Sequence, residues 1–454
     1  MTPTIPPSWI GQNGKPVKPS ELNAAIDFHC PFFSKDELRR YNSHADFYTS
    51  RNRYENYTSG DDTIASRGIG RLLDEYRHIA RVRTVEAVGV SFTTKRISST
   101  TWVIQEDDMY KEHPLIYVKL LPQVPVILLC DTGTDAPTKE NRSIVGTSTH
   151  LRHYLEKVPI ESNSNQPLNP NGKLTYFIIQ THCHYDHIGG IPQFLRGGTT
   201  QILASAAGRD FIEKDFSRHS LWPGDNGELP RYCVTKWAQT FERLSWPLSE
   251  KYEYDDDGHP VTQQPPTSLG ITVLHTPGHT PDELAWYDHA EMFLYVGDSF
   301  YREGEEDMPI IFPPQGNLIE WVFSMQKLAV FVRGENARAA AEARLVSVDA
   351  EDDWEHVAPR VKVSCAHTTT AVDGAEILAE LEAFSFKVFV GKVPVVERDK
   401  QFGEEIDLWK EEGEKRTPMS LLAPRRLMQD ARKFFGHDVK DERRGDDGCR
   451  FWGW

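Results

Sequence analysis

Short apolar runs alternate with helical apolar stripes along most of this chain of 454 residues. A first set of strand-like runs lies at 87–92, 101–105, 115–120, 124–130 and 174–180, and a second set follows at 201–204, 271–274, 291–296 and 361–364. Apolar residues spaced three and four apart predict helices near 69–79, 148–158, 318–328, 377–381 and 425–435. Two runs of strands, each closed by helices, predict an α/β fold with two sheets packed face to face and helices outside.

The same pattern predicts how the chain is organised. Residues 1–86 are expected to form an N-terminal arm and a helix packed on the core, and residues 87–393 the main domain. The stretch at about 209–269, rich in Pro, Trp and Asp, is interpreted as an insertion, and residues 394–454 as a charged C-terminal extension.

Composition narrows the partners and the compartment. With 51 Lys and Arg against 67 Asp and Glu, the formal net charge is −16, which opposes nucleic acid as a partner, because phosphate backbones are bound by neutralising them. No apolar run approaches the roughly 20 residues that span a bilayer, so no membrane partner is expected. Residues 1–9 do not read as a signal peptide, and the six cysteines are scattered without a CxxC pair. We therefore expect a cytoplasmic protein without a disulfide framework.

The densest chemistry lies at residues 181–187, Thr-His-Cys-His-Tyr-Asp-His, directly after a predicted strand. His182 and His184 can converge on one ion, whereas Asp186 and His187 point towards a second. A lone histidine is usually structural, but three histidines and an aspartate within six residues indicate metal ligands.

Three further residues of ligand type each follow a predicted strand: His279, Asp298 and His367. Several strand ends that contribute ligands to one sheet edge are how a rigid scaffold builds a metal site. Imidazole and carboxylate are ligands that Zn²⁺ accepts, and the spacing leaves iron and manganese open.

In these motifs the chain resembles the metallo-β-lactamase-fold superfamily over about residues 87–393. The resemblance implies a four-layer αββα sandwich and two zinc ions. One zinc would be held by His182, His184 and His279, the other by Asp186, His187 and His367, with Asp298 bridging and the buried Asp131 supporting the histidine loop through hydrogen bonds.

The resemblance also implies an activity. A zinc-bound hydroxide would open a lactone, lactam or cyclic carbamate ring in a small-molecule carbonyl substrate. Asp186 would orient the hydroxide and pass on its proton. Tyr301 lies three residues after Asp298, the spacing of acyl-homoserine-lactone lactonases of this fold, and would assist the attacked carbonyl. The chain looks similar to filamentous-fungal members, some of which open benzoxazolinone-type rings and so detoxify aromatic xenobiotics.

Two enzymatic alternatives stay open, with no oligomeric state predicted. A glyoxalase II-like thioesterase would bind glutathione through basic residues such as Arg425, Arg426, Arg432 and Lys433, although an ordinary solvated helix face is the favoured interpretation. An iron-dependent persulfide dioxygenase keeps a similar motif. A catalytically silent binding module is disfavoured because the ligand set is complete.

Overall fold

The computed structural model describes residues 91–437 apart from gaps at 140, 142–148, 224–227, 249–252, 255–259, 262–264, 306, 348–357, 402 and 414–415. The predicted N-terminal arm and helix at 1–86 and the last residues of the tail, 438–454, lie outside the described residues. The predicted strand at 87–92 falls at the boundary, where the first described strand begins at Phe92.

The secondary structure alternates short strands with a few helices. The strands are, in chain order, β1 (Phe92–Arg96), β2 (Thr101–Glu106), β3 (Leu115–Leu121), β4 (Val126–Cys130), β5 (Thr175–Ile179), β6 (Gln201–Ser205), β7 (Lys236–Ala238), β8 (Arg243–Trp246), β9 (Glu253–Tyr254), β10 (Pro260–Val261), β11 (Thr267–His275), β12 (Leu284–Asp288), β13 (Phe293–Tyr295), β14 (Ile310–Ile311), β15 (Lys362–Ser364), β16 (Val372–Asp373), β17 (Val395–Gln401), β18 (Glu404–Lys410) and β19 (Ser420–Pro424). The α-helices are α1 (Leu151–Lys157), α2 (Tyr185–Ile188), α3 (Arg209–Lys214), α4 (Phe216–His219), α5 (Leu318–Ser347), α6 (Gly374–Phe389) and α7 (Arg425–Phe434).

Two sheets form the centre of the molecule. The first contains β1 to β7 side by side in chain order, antiparallel as far as β4 and parallel from β4 to β7. The second has the order β16-β15-β13-β12-β11-β8. β4 is a run of apolar residues buried throughout, as expected for a strand covered on both faces.

The inner faces of these sheets pack on one another. Tyr117 of the first sheet meets Tyr295 of the second with ring centroids 4.8 Å apart, within one apolar cluster drawn from both sheets. On the outside, α1 buries Leu151 and Leu155 against the first sheet, and α5 and α6 cover the second. The predicted αββα sandwich is confirmed.

Helix starts follow the predicted capping residues. The Asn317 side-chain oxygen accepts hydrogen bonds from the backbone N–H groups of Ile319 and Glu320, and Asp373 does the same for Ala375 and Glu376. α5 continues to Ser347, well beyond the predicted stripe. Within the described part of the chain, none of the helices combines the length and the apolar character that a bilayer crossing requires.

Part of the stretch predicted as an insertion belongs to the sheets themselves. β7 is the outer strand of the first sheet, and β8 is the outer strand of the second. The stretch at 209–269 therefore includes an edge strand of each sheet, and the sequence pattern did not predict these two strands. These two strands were not predicted because they are short and only half-buried, and because Pro and Trp residues surround them.

The C-terminal segment is also more structured than its charge indicated. The predicted helix is present as α7. In addition, β17, β18 and β19 form a four-stranded sheet with β14, in the order β14-β19-β18-β17. This sheet joins the core cluster through Trp409, Leu421 and Ala423. The segment is therefore packed on the main domain.

Cysteine chemistry departs from the expectation at one position. Cys130, Cys183 and Cys365 are buried free thiols, whereas Cys233 is disulfide-bonded.

Candidate metal centre

The seven predicted metal ligands lie together at one edge of the sandwich. Those of the first sheet follow β5, where the loop and α2 carry the 182–187 cluster. Those of the second sheet follow β11, β13 and β15. The structure brings them into two adjoining groups, all buried: His182, His184 and His279 in the first group, and Asp186, His187, Asp298 and His367 in the second group.

In the first group, three ring nitrogens converge. The Nε2 atoms of His182 and His279 lie 2.9 and 3.0 Å from Nδ1 of His184. These distances place three imidazole lone pairs around one small volume, which is the arrangement that a tetrahedral ion with one open position needs.

In the second group, two imidazoles face two carboxylates. Asp186 Oδ2 is 3.0 Å from Nε2 of His187 and 3.3 Å from Nε2 of His367. Asp298 lies opposite, with Oδ2 at 3.4 Å from Nε2 of His187 and Oδ1 at 3.4 Å from Nε2 of His367.

Asp298 also reaches the first group. Its Oδ2 is 3.9 Å from Nε2 of His182 and 3.7 Å from Nε2 of His279. One carboxylate therefore lies between both sets of nitrogens, as a bridging ligand must.

Backbone carbonyls fix which ring nitrogens face the centre. His279 donates from Nδ1 to the carbonyl of Ile311 at 2.7 Å, and His367 donates from Nδ1 to the carbonyl of Glu112 at 2.9 Å. A carbonyl oxygen only accepts, so the neutral rings carry their proton on Nδ1 and present the Nε2 lone pair to the site. This is how ligating histidines are normally oriented.

Asp131 fixes the loop that carries the histidines through hydrogen bonds. Its Oδ1 accepts from the backbone N–H of Thr181 at 2.8 Å, and its Oδ2 accepts from the Thr181 hydroxyl at 2.8 Å. The same Oδ2 is 3.0 Å from Nδ1 of His187. Asp131 thereby orients a residue of the second group without facing the centre itself.

Two glycines permit the close approach of these segments. A Cβ at Gly189, which follows α2, would lie 2.2 Å from the carbonyl oxygen of Thr134. Gly297 has φ of +57°, and a Cβ there would lie 2.1 Å from Oε1 of Glu283. Side chains at these positions would push the ligand-bearing turns apart.

The electrostatics of the two groups differ. Burial lowers the pKa of His182, His184 and His279, that of His184 to about 3, which keeps these imidazoles neutral. Burial alone would raise the pKa of Asp298, but His367 and His187 outweigh it and hold that pKa well below its usual range. The imidazoles of the first group are therefore neutral. In the second group burial would lower the pKa of His187 and His367, but Asp186 and Asp298 outweigh it and raise both pKa values well above the usual range.

The residues fit a pair of divalent ions. Nε2 of His187 and Oδ1 of Asp298 are buried and have no partner in hydrogen-bond geometry, although nitrogen and oxygen atoms of the group lie within 3.0–3.4 Å of one another. A buried unpaired polar atom costs about 1–3 kcal/mol. Imidazole and carboxylate form the donor set typical of zinc, although other first-row metals accept it too. Cation binding is the arrangement that would satisfy these inward-facing atoms.

Tyr301 lies beside the second group. Its buried ring meets that of His367 edge-on, with centroids 5.6 Å apart. Burial and then the charge of Asp298 raise the pKa of the phenol well above its usual value, so Tyr301 keeps its proton as a donor.

Two acidic residues of the site escaped the sequence reasoning. Glu283 accepts from the backbone N–H of Asp298 at 3.0 Å and lies 3.3 Å from Nδ1 of His182. The backbone carbonyl of Glu112 accepts the hydrogen bond from Nδ1 of His367. Glu283 was detectable as a charged residue directly before the apolar strand β12, whereas Glu112 lies in a loop that no motif marks.

Comparison with known proteins finds one family model that matches part of the chain and several distant relatives. The family model described as the metallo-beta-lactamase superfamily matches residues 172–343. A curated relative named "Putative transcription factor avaE" from Aspergillus versicolor is 28% identical over 345 residues, 75% of this chain and 89% of its own length. "Acyl-coenzyme A thioesterase MBLAC2" from Gallus gallus is 24% identical over 176 residues, which cover 37% of this chain and 55% of that protein.

Among solved structures, a metallo-beta-lactamase from Pontibacter korlensis aligns with a TM-score of 0.37 and 14% identity, over 63% of this chain and 95% of that one.

Proposed function

We propose that this chain is a hydrolase of the metallo-β-lactamase superfamily, whose family model matches residues 172–343, and that it uses two metal ions to open lactone, lactam or cyclic carbamate rings. The observation that carries the proposal is the complete ligand set, in two groups that share Asp298.

We assign two zinc ions to the site. His182, His184 and His279 would hold one ion, Asp186, His187 and His367 the other, and Asp298 both. When bound, such ions lower the pKa of a coordinated water towards about 7 and polarise a carbonyl oxygen. The chain's own residues then have to orient the substrate and move a proton.

Asp186 and Tyr301 are proposed for those two tasks. The carboxylate of Asp186 would accept the proton of the attacking water and pass it to the leaving atom of the opened ring. The protonated phenol of Tyr301, beside His367, would donate to the carbonyl oxygen as negative charge develops there. A donor of this kind contributes more in the transition state than in the ground state.

The charge of the molecule favours an uncharged substrate. The net charge of −16 opposes the approach of polyanions such as nucleic acids. We therefore do not extend the name of the Aspergillus relative to DNA binding by this chain. Nothing in the relatives supports a benzoxazolinone in particular, so the proposal stops at the class of ring.

A thioesterase is the second candidate, because one relative bears the name of an acyl-coenzyme A thioesterase. The arginines considered for glutathione binding are engaged elsewhere, however. Arg425 pairs with Asp407 and Arg426 with Glu404, both within the C-terminal sheet, and Arg432 donates to a carbonyl of α6. These contacts occupy donors of the three arginines, whereas Lys433 is exposed.

A substrate panel tests the proposal. The zinc-loaded protein is assayed on lactones, lactams, cyclic carbamates, thioesters and phosphodiesters, with His184→Ala as the metal-site control. We expect ring opening that the control lacks. Fast thioester turnover without ring opening would favour the second candidate and contradict the first.

A further inference from the structure

A turn built on Asp108 lies between β2 and β3, next to the metal centre. The buried carboxylate of Asp108 accepts from the backbone N–H groups of Tyr110 at 2.8 Å and His113 at 2.7 Å, with a longer contact of 3.4 Å to that of Glu112. Lys111 and His113 both adopt positive φ, 66° and 47°. Such backbone persists only when its surroundings hold it, and here the Asp108 carboxylate does so.

This turn delivers Glu112 to two separate parts of the second group. Its carbonyl accepts from Nδ1 of His367 at 2.9 Å. Its carboxylate accepts from the phenol of Tyr185 at 2.6 Å. Tyr185 opens α2, the helix that carries Asp186 and His187, so Glu112 connects ligands that are far apart in sequence.

Tyr185 is itself held in place. Its ring meets that of Tyr110 edge-on at 5.3 Å, and its backbone N–H donates to the carbonyl of Ser220 at 2.8 Å. The hydrogen bond from Tyr185 to Glu112 therefore fixes the position of α2 relative to the Asp108 turn.

The first group is oriented by other elements. His279 donates to Ile311 of β14, and Nδ1 of His182 contacts the Thr181 hydroxyl at 3.0 Å. A change at Glu112 should therefore act on one metal and spare the other.

We propose that Glu112 is a positioning residue for the second metal: it sets His367 and α2 at a fixed distance from one another, and so sets the affinity of the ion they share. The inference rests on the proposed two-metal function. Contacts behind metal ligands typically change metal affinity by about 10- to 100-fold.

The test is a stepwise zinc titration against a chromophoric chelator, repeated with Co²⁺ to read the spectrum of each site. Glu112→Ala and Tyr185→Phe should weaken the second ion by about 10-fold or more and leave the first unchanged. Glu112→Gln keeps an oxygen that accepts from Tyr185 and should restore most of the affinity. Tyr176→Phe is the matched control. It removes the same kind of hydrogen bond, from a tyrosine phenol to a glutamate carboxylate, because Tyr176 donates to Glu156 of α1 at 3.1 Å.

Thermal unfolding of each variant checks that it folds. If Glu112→Ala does not fold, Tyr185→Phe tests the inference in its place. Equal weakening of both ions, or binding like that of the wild type, would overturn the inference. If the wild-type protein binds fewer than two ions, it is the proposed function that fails.

Discussion

Replacing Tyr301 tests whether the proposed ring opening can be separated from metal binding. Tyr301 contacts the ring of His367 and is not one of the seven ligands. Tyr301→Phe should lower kcat for ring opening by about 100-fold, the usual effect of removing one oxyanion donor, and leave the metal content unchanged. Steady-state kinetics with parallel metal analysis checks this. An unchanged kcat would show that Tyr301 only packs against His367.

A second residue, Glu106, predicts how stability depends on pH. Its carboxyl accepts from the backbone N–H of Thr134 at 2.6 Å, and burial raises its pKa from 4.5 to about 8. Between these values the folded chain holds a proton that the unfolded chain has lost. The stabilisation is therefore complete below about pH 4.5 and is lost as the pH rises towards 8.

Urea unfolding of the wild type and of Glu106→Gln at several pH values measures this effect. The free energy of unfolding of the wild type should fall with pH relative to the variant, by at most about 1.4 kcal/mol per pH unit. Parallel curves would show that Glu106 does not titrate in this range.

Among the elements, the C-terminal strand β19 supports the metal centre indirectly. It pairs with β14, the backbone N–H of Phe312 donates to the carbonyl of Leu422 at 2.8 Å, and the carbonyl of Ile311 in β14 accepts from His279. A strand that sequence analysis assigned to an extension thus helps to orient a ligand of the first group.

Proline substitution tests this connection. Leu422→Pro should distort β19 and β14 and weaken the first metal by about 10-fold, measured by chelator competition. Val396→Pro is the control, because β17 is an edge strand and Val396 lies at a register shift, where proline is tolerated. Similar metal binding in both variants would contradict a role for β19.

The elements also show what the sequence could reveal. The ligands were predictable because they follow apolar strands. The helix caps Asn317 and Asp373 were predictable because their side chains accept hydrogen bonds from backbone N–H groups only two residues further along the chain. β17 and β18 were missed because charged residues cover their exposed faces. The contact of Glu112 with His367 could not be inferred, because it joins residues 255 positions apart.

For the whole molecule, both sheets contribute to one centre. The 182–187 cluster follows the first sheet, and the other ligands follow the second. Ions bound there stabilise the folded state by mass action, by about 2.7 kcal/mol at a free concentration of 100 times Kd. Chelation should therefore lower Tm by several degrees, and zinc should restore it. A Tm insensitive to chelator in calorimetry would contradict a centre shared by both sheets.

The metal content of the purified protein tests the central claim most directly. Elemental analysis of the wild type should give close to two zinc-type ions per chain, falling in His184→Ala and His367→Ala. One tightly held iron per chain would contradict the two-metal hydrolase and favour an iron-dependent dioxygenase, and no bound metal would contradict both.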